Sequence, residues 1–215
     1  MEEQSNHAAF VTALTTEHFV LQTAASSTIA EAAARSTLYV MALSSALVAL
    51  GFASQSPSVF LPFALLALPG IFILGIFTVV RLVDTTLENQ QYLTGIARIR
   101  GYYKSMVPEA GRYLRSDTAR WPEAPKPPSL TRGPFLAMLG TTAAMIAFLN
   151  NLVAGAAVTL AATAMFGRDR LGVAIGAGVI TAAIFMAVFM SYQKGRFEGL
   201  QEMIEGAENE GMTHD

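Results

Sequence analysis

Three long tracts of the chain contain no charged residue. Asp, Glu, Lys and Arg are absent from residues 36–80, 133–167 and 171–193, which are tracts of 45, 35 and 23 residues. A helix needs roughly 20 apolar residues to cross about 30 Å of hydrocarbon, because each residue advances it by about 1.5 Å. The pattern therefore predicts a polytopic membrane protein with helical spans, and it excludes an ordinary water-soluble globule.

The first tract is long enough for two spans, and a polar turn at Ser54–Ser58 divides it. Pro57 in this turn restricts the backbone of the residue before it, which is typical of a break between helices. We expect span one at Ser36–Ala53 and span two at Val59–Val83. The Pro69-Gly70 pair in the middle of span two predicts a kink there.

The second hairpin is predicted from the other two tracts. Phe135–Phe166 would be roughly 48 Å long as one helix, too long for an upright span and too short for two, so we expect a single tilted or projecting span three. Span four is expected at Leu171–Tyr192, after a tight turn at Gly167–Arg170. The predicted fold is all-α, with four transmembrane helices in two hairpins and cytoplasmic helical extensions.

The orientation follows from the basic residues. An even number of spans places both termini and the central loop on one side, which carries 12 of the 14 Lys and Arg residues, whereas the other side carries Arg168 and Arg170. Because basic loops remain cytoplasmic, both termini are predicted to be cytoplasmic. Eleven Arg against three Lys, with abundant Ala, is typical of a GC-rich bacterial source. The expected location is therefore the bacterial inner membrane.

This topology divides the chain into five segments. We expect a cytoplasmic amphipathic helix at 1–35, the first hairpin at 36–83, a basic cytoplasmic helix with a Pro-rich tether at 84–133, the second hairpin at 134–192, and an acidic amphipathic tail at 193–215. Three of the segments carry apolar stripes at helical spacing, which predict a small cytoplasmic bundle. The stripes are Val11, Leu14, His18, Leu21, Ala25, Thr28 and Ala32; Tyr92, Ile96, Ile99 and Tyr103; and Phe197, Leu200, Ile204 and Ala207.

The sequence offers little for catalysis. The three uncharged tracts contain no Asp, Glu, His, Lys, Arg or Cys, and the chain has no HExxH, Walker-type or GxSxG motif. Catalysis needs proton-transfer groups or an activated nucleophile, and coupled transport usually needs ionisable residues inside the membrane. We therefore predict a protein that is not an enzyme, with no cofactor and no metal site. The net charge of −2 argues against binding a nucleic-acid polymer.

Polar residues in the spans have two alternative uses. Asn150 and Asn151 lie near the middle of the second tract, and an amide in lipid needs a partner. These residues either line a narrow polar path or form hydrogen bonds between helices, and the second use is the more common. The hydroxyl residues considered with them are Thr141, Thr142 and Thr159 on span three and Ser44 and Ser45 on span one.

Span four begins with glycines that suit close helix packing. Gly172 and Gly176 form a GxxxG spacing, and Gly178 follows. Small residues at this spacing let two helix backbones approach closely. The partner is either span three of the same chain or a helix of a second copy.

The central segment is basic and rich in tyrosine. Two explanations are open for its cations: contact with an anionic ligand or lipid headgroup, or the positive-inside signal alone. We favour the signal because no glycine-rich cradle accompanies the charges. The residues concerned are Arg98, Arg100, Lys104, Arg112 and Arg115.

Two segments beside the first hairpin carry a family resemblance. Glu17–Arg35 (EHFVLQTAASSTIAEAAAR) and Arg81–Tyr103 (RLVDTTLENQQYLTGIARIRGYY) resemble those of uncharacterised actinobacterial four-span membrane proteins. The resemblance implies a helical membrane protein and carries no active site. In architecture alone, the plan is similar to small transmembrane effectors of bacterial nucleotide-signalled phage defence.

These observations favour a homo-oligomeric, pore- or channel-like effector in the lipid bilayer. One alternative is a scaffold or accessory subunit that binds a cytoplasmic protein through the tether and amphipathic helices. Another is a small-solute transporter, supported only by the Pro69-Gly70 pair.

Overall fold

The computed structural model describes residues 2–107, 109–114 and 138–212, and the secondary structure of these residues consists of helices joined by turns. Within these residues, four helices are long and apolar enough to cross a membrane: α1, α2, α4 and α5. The elements are α1 (Glu2–Ala53), α2 (Pro57–Met106), α3 (Ala110–Tyr113), α4 (Thr142–Phe166), a 3-10 turn (Arg168–Arg170) and α5 (Leu171–Met212).

Three of the helices extend beyond their expected spans without a break. The expected arm and span one form the single helix α1 of 52 residues, and α2 continues past Val83 to Met106. The tail continues α5 to Met212. Uninterrupted helix is consistent with a sequence that has neither Pro nor Gly between Ala8 and Leu50. Pro62 and Pro69 both lie inside α2.

The expected span three is interrupted by a turn before Thr142. Residues 138–139 are helical and residues 140–141 form a turn, so the expected continuous span is broken before α4, which begins at Thr142 and has 25 residues, a length of about 37 Å. The expected start at Phe135 lies outside the described residues. Thr141 ends the preceding turn with extended backbone (φ −76°, ψ 150°), and its side-chain oxygen accepts a hydrogen bond from the Ala144 N–H. This N-cap satisfies a free donor of the first turn and fixes the helix start. Gly167, with φ of 82°, ends the helix in a conformation that glycine adopts freely.

The chain forms two compact units, each built from two separate stretches. Residues 1–32 and 84–137 form one, here called the arm unit, and residues 33–83 and 138–215 form the other, here called the membrane unit. The predicted tail stripe belongs to the membrane unit, whereas the other two predicted stripes lie in the arm unit. The expected three-stripe cytoplasmic bundle is therefore divided between the units.

The arm unit pairs the start of α1 with the end of α2. Asn89 Nδ2 donates to the Ala25 carbonyl oxygen at 3.0 Å and to Thr28 Oγ1 at 2.8 Å. Farther along, the Thr15 and Tyr103 hydroxyls lie 3.2 Å apart. One residue number rises as the other falls, so the helices are antiparallel. The two predicted stripes on α1 and α2 are the half-buried and buried faces of this pair.

The core of the membrane unit is centred on α4. Half of the apolar stretch of α4 is buried, against 11% of that of α1. The buried face of α4 consists mostly of small residues, which allow neighbouring helices to approach closely. They include Ala143, Ala144, Ala147, Ala154 and Gly155.

Candidate functional site: the polar centre of the membrane unit

Asn150 joins three helices through one side chain. It lies on α4 with 3% of its surface exposed. Its Oδ1 accepts a hydrogen bond from the Tyr39 hydroxyl of α1 at 3.0 Å, and its Nδ2 donates to the Phe72 carbonyl oxygen of α2 at 3.2 Å. Both ends of the amide therefore form hydrogen bonds between helices. This is the geometry expected if Asn150 serves helix packing, the second of the two uses considered from the sequence.

Gly75 on α2 makes room for this amide. A Cβ atom built at Gly75 would collide with the side-chain amide of Asn150. Glycine therefore fits here without displacing the hydrogen-bonded group. Sequence reasoning missed both Gly75 and Tyr39, since neither carries a local signal that distinguishes it from other small or aromatic residues in a span.

Asn151 adds the fourth helix. It is 7% exposed, and its Nδ2 donates to the Met186 sulfur of α5 at 3.7 Å. A thioether is a weak acceptor, so this bond contributes less than those of Asn150. The two adjacent amides together link α4 to each of the other three long helices within the membrane unit.

A second polar cluster lies at the start of α4. Gln193 of α5 is 1% exposed, and its Nε2 donates to Thr141 Oγ1 at 3.1 Å. The Thr141 hydroxyl in turn donates to the Met138 carbonyl oxygen at 2.9 Å. Gln193 Oε1 is buried and has no hydrogen-bond partner among the described residues. Gln193 is the last residue of the third uncharged tract, and its position there gave no reason to expect burial.

The glycines of α5 divide into two groups. A Cβ atom at Gly155 of α4 would lie 2.7 Å from the Gly178 carbonyl oxygen, so the two backbones cross closely at this pair. In contrast, a Cβ at Gly172 or at Gly176 would meet nothing within 4 Å. Of the three glycines expected to pack, Gly178 contacts another helix of the chain, and the GxxxG pair faces open space.

The predicted hydroxyl residues are divided in the same way. Thr159 is half-buried beside Gly178, and its hydroxyl donates to the Gly155 carbonyl oxygen at 2.9 Å. Ser44 and Ser45 on α1 and Thr142 on α4 are exposed. The candidates thus form a buried set bonded within the chain and an exposed set on its outer surface.

The predicted cations lie on α2 and α3. Arg98 and Arg112 are exposed, and Lys104 and Arg100 are half-buried. Arg100 Nη2 donates to the Leu114 carbonyl oxygen at 3.4 Å, so part of its guanidinium is used within the arm unit. Arg115 and the Pro-rich tether lie outside the described residues.

No group of three or more His, Cys, Asp or Glu side chains able to hold a metal occurs within 2–107, 109–114 and 138–212.

Comparison with protein-family models, with curated proteins and with solved structures found no match.

Proposed function

We propose that this chain is an integral membrane protein without a catalytic site that self-associates into a channel-like assembly. Four apolar helices of spanning length are the basis for membrane insertion. The path is formed between copies and not inside one copy, because the buried amides Asn150 and Asn151 are already bonded to neighbouring helices.

The observation that carries this proposal is the exposure of Ser44 and Ser45 on α1. They lie on the least buried of the four apolar helices, with no other described helix covering them. A hydroxyl that faces lipid can bond only to its own helix, whereas one that faces a water-filled path or another helix gains further partners. We place these serines on the wall of the path.

Self-association is supported by the open glycines of α5. A methyl group added at Gly172 or at Gly176 would have no neighbour within 4 Å, although the spacing of the pair suits close approach of another helix. The contact between α4 and α5 uses Gly155 and Gly178 instead. The GxxxG face therefore remains available to a second copy.

The test combines planar-bilayer conductance with single-cysteine labelling. The natural chain has no cysteine, so each substituted thiol is the only one present. We expect the purified protein to conduct, and a charged, water-soluble thiol reagent to reduce the current of Ser44→Cys and Ser45→Cys. Leu47→Cys is the matched control, because Leu47 is exposed on the same helix but lies about 110° around it from the midpoint of the two serines.

Two results would overturn the proposal. The first is the absence of current from reconstituted protein whose insertion has been verified. The second is equal labelling of Ser44→Cys and Leu47→Cys without any change in current, which would place both positions on an ordinary outer surface.

A further inference from the structure

The first part of α1 has two opposite faces with the same spacing. One is the stripe that packs on α2 in the arm unit. The other consists of residues that each lie two positions from a stripe residue, about 200° around a helix. This second series alternates steps of four and three, the spacing of a coiled-coil seam. We call it the outer seam; its members are Ala9, Ala13, Thr16, Val20, Thr23, Ser27 and Ala30.

Every residue of the outer seam is exposed, and the surface around it is nearly uncharged. From Gln4 to Ala30 the only Asp, Glu, Lys or Arg is Glu17. Phe19, beside the seam, has 62% of its surface exposed, and Val20, within the seam, has 55%. A helix face turned to water normally carries charged residues, so a neutral face with a large exposed aromatic ring indicates a covered surface.

We propose that the outer seam pairs with the same seam of a second copy, as a parallel two-stranded coiled coil. This proposal rests on the self-association argued above and specifies where it occurs. Copies inserted in one membrane share an orientation, so their α1 helices run parallel. The small seam residues let the two helices approach to about 8 Å, the short end of the usual range.

Size and charge match when the seam meets its own copy. We assign Ala13 to heptad position a and Thr16 to position d, which places Glu17 at position e and Phe19 at position g. In a parallel coiled coil, each g residue faces the e residue five positions later on the other helix. Phe19 then lies against Ala24 of the second copy, a large side chain against a small one. Glu17 lies against Thr12 of the second copy, and therefore no two carboxylates meet.

This match of the outer seam with itself indicates that the partner helix is α1 of a second copy. The neutral face offers no charge to recognise an acidic or basic partner, and its heptad spacing over six steps suits one long straight helix. The chain itself supplies such a helix in the required orientation. A shallow groove on this face, lined by residues that include Phe19 and Ala24, receives the ring from the second copy.

The test uses disulfide cross-linking in membranes that contain the full chain. Because a disulfide needs Cα atoms about 4.4–6.8 Å apart, Val20→Cys and Thr23→Cys are expected to form at least about tenfold more covalent dimer than Gln22→Cys. Gln22 is a matched control, since it is also exposed on the same turn but lies away from both faces.

A second variant checks the seam without relying on the disulfide alone. Thr23→Lys added to Val20→Cys brings like charges together across the seam, and we expect it to abolish most of the dimer. Gln22→Lys added to Val20→Cys should retain the dimer. Circular dichroism should show unchanged helix content in both, because both sites are exposed on α1.

The outcomes separate this inference from the proposed function. Equal dimer from Val20→Cys and Gln22→Cys overturns the seam, because random collision then explains both. Dimer from neither, in protein whose mass in mild detergent is that of an oligomer, overturns the seam and leaves self-association intact. If the protein has the mass of a monomer in mild detergent and carries no current in the bilayer, both the outer seam and the proposed function are overturned. Stoichiometric co-purification of a different protein that blocks cross-linking at Val20→Cys also overturns the seam.

Discussion

Gly75→Ala adds a methyl group at the position of the Asn150 side-chain amide. The amide cannot move aside without losing its bonds to the Tyr39 hydroxyl and the Phe72 carbonyl oxygen. A change of one carbon on α2 therefore disrupts contacts among α1, α2 and α4. We expect it to be one of the most destabilising alanine substitutions in the membrane unit.

The magnitude follows from three contributions. Hydrogen bonds between membrane helices are worth about 0.6–2 kcal/mol each, so losing two costs about 1–4 kcal/mol. The extra methyl group overpacks the contact between α2 and α4, which adds about 1–3 kcal/mol to the loss. Replacing Gly by Ala inside a helix returns about 0.5–1 kcal/mol. The net expectation for Gly75→Ala is a loss of about 3 kcal/mol in the free energy of unfolding.

The measurement is an unfolding titration with SDS in mixed micelles, followed by circular dichroism. Gly70→Ala is the matched control on the same helix, because a Cβ there meets nothing within 4 Å. We expect that variant to differ from the natural chain by less than about 1 kcal/mol. The double variant Gly75→Ala/Asn150→Ala removes the collision, so its loss should be smaller than the sum of the single losses by about 2–3 kcal/mol.

Additive losses in this double-variant cycle would refute the reasoning, because they would mean that Gly75 and Asn150 act independently. The reasoning also fails if Gly75→Ala and Gly70→Ala have the same stability. Tyr39→Phe supplies a separate check: it should cost about 0.6–2 kcal/mol in the natural chain and nearly nothing beside Asn150→Ala.

Three other substitutions have defined outcomes in the same titration. Gly155→Ala should cost about 2 kcal/mol or more, since its methyl group meets the backbone of Gly178, and a loss below that of Gly176→Ala would contradict the close crossing. Thr141→Val should cost about 1–3 kcal/mol by removing the N-cap and the acceptor for Gln193, while Thr141→Ser restores most of it. Gln193→Leu should cost less than Thr141→Val, because it also removes the unpartnered buried Oε1; the reverse order would show that this oxygen is satisfied.

The helical architecture was predictable because charge distribution reports it directly. Uncharged tracts of sufficient length predicted four apolar helices, and the periodic stripes at Val11–Ala32 and Tyr92–Tyr103 correctly identified the faces that pack in the arm unit. The start of span three was not predictable from hydropathy, because residues 133–141 are as uncharged as the helix itself. Its position depends on a hydrogen bond from a helix N–H to Thr141 Oγ1.

The candidate site was predictable only in part. An asparagine in a long apolar tract identified Asn150 as a residue in need of partners, but sequence could not identify those partners. Tyr39 lies 111 residues away from Asn150 in the chain, and Gly75 matters because its lack of a side chain leaves room for the Asn150 amide. Likewise, the GxxxG spacing could not distinguish Gly176, which faces open space, from Gly178, which contacts α4. Such choices depend on how helices are rotated against one another, which the local pattern does not encode.

The bond between Tyr39 and Asn150 also sets an order of events during biosynthesis. The ribosome adds about 5–20 residues per second, so the 111 residues that separate this pair take roughly 6–22 s to make. Throughout that interval the Tyr39 hydroxyl lacks its acceptor, and once α2 has been made the space beside Gly75 is also unfilled. Asn150 of α4 completes the hydrogen bond and fills this space in one step, so α1 and α2 reach their final arrangement at this point only after α4 has been made.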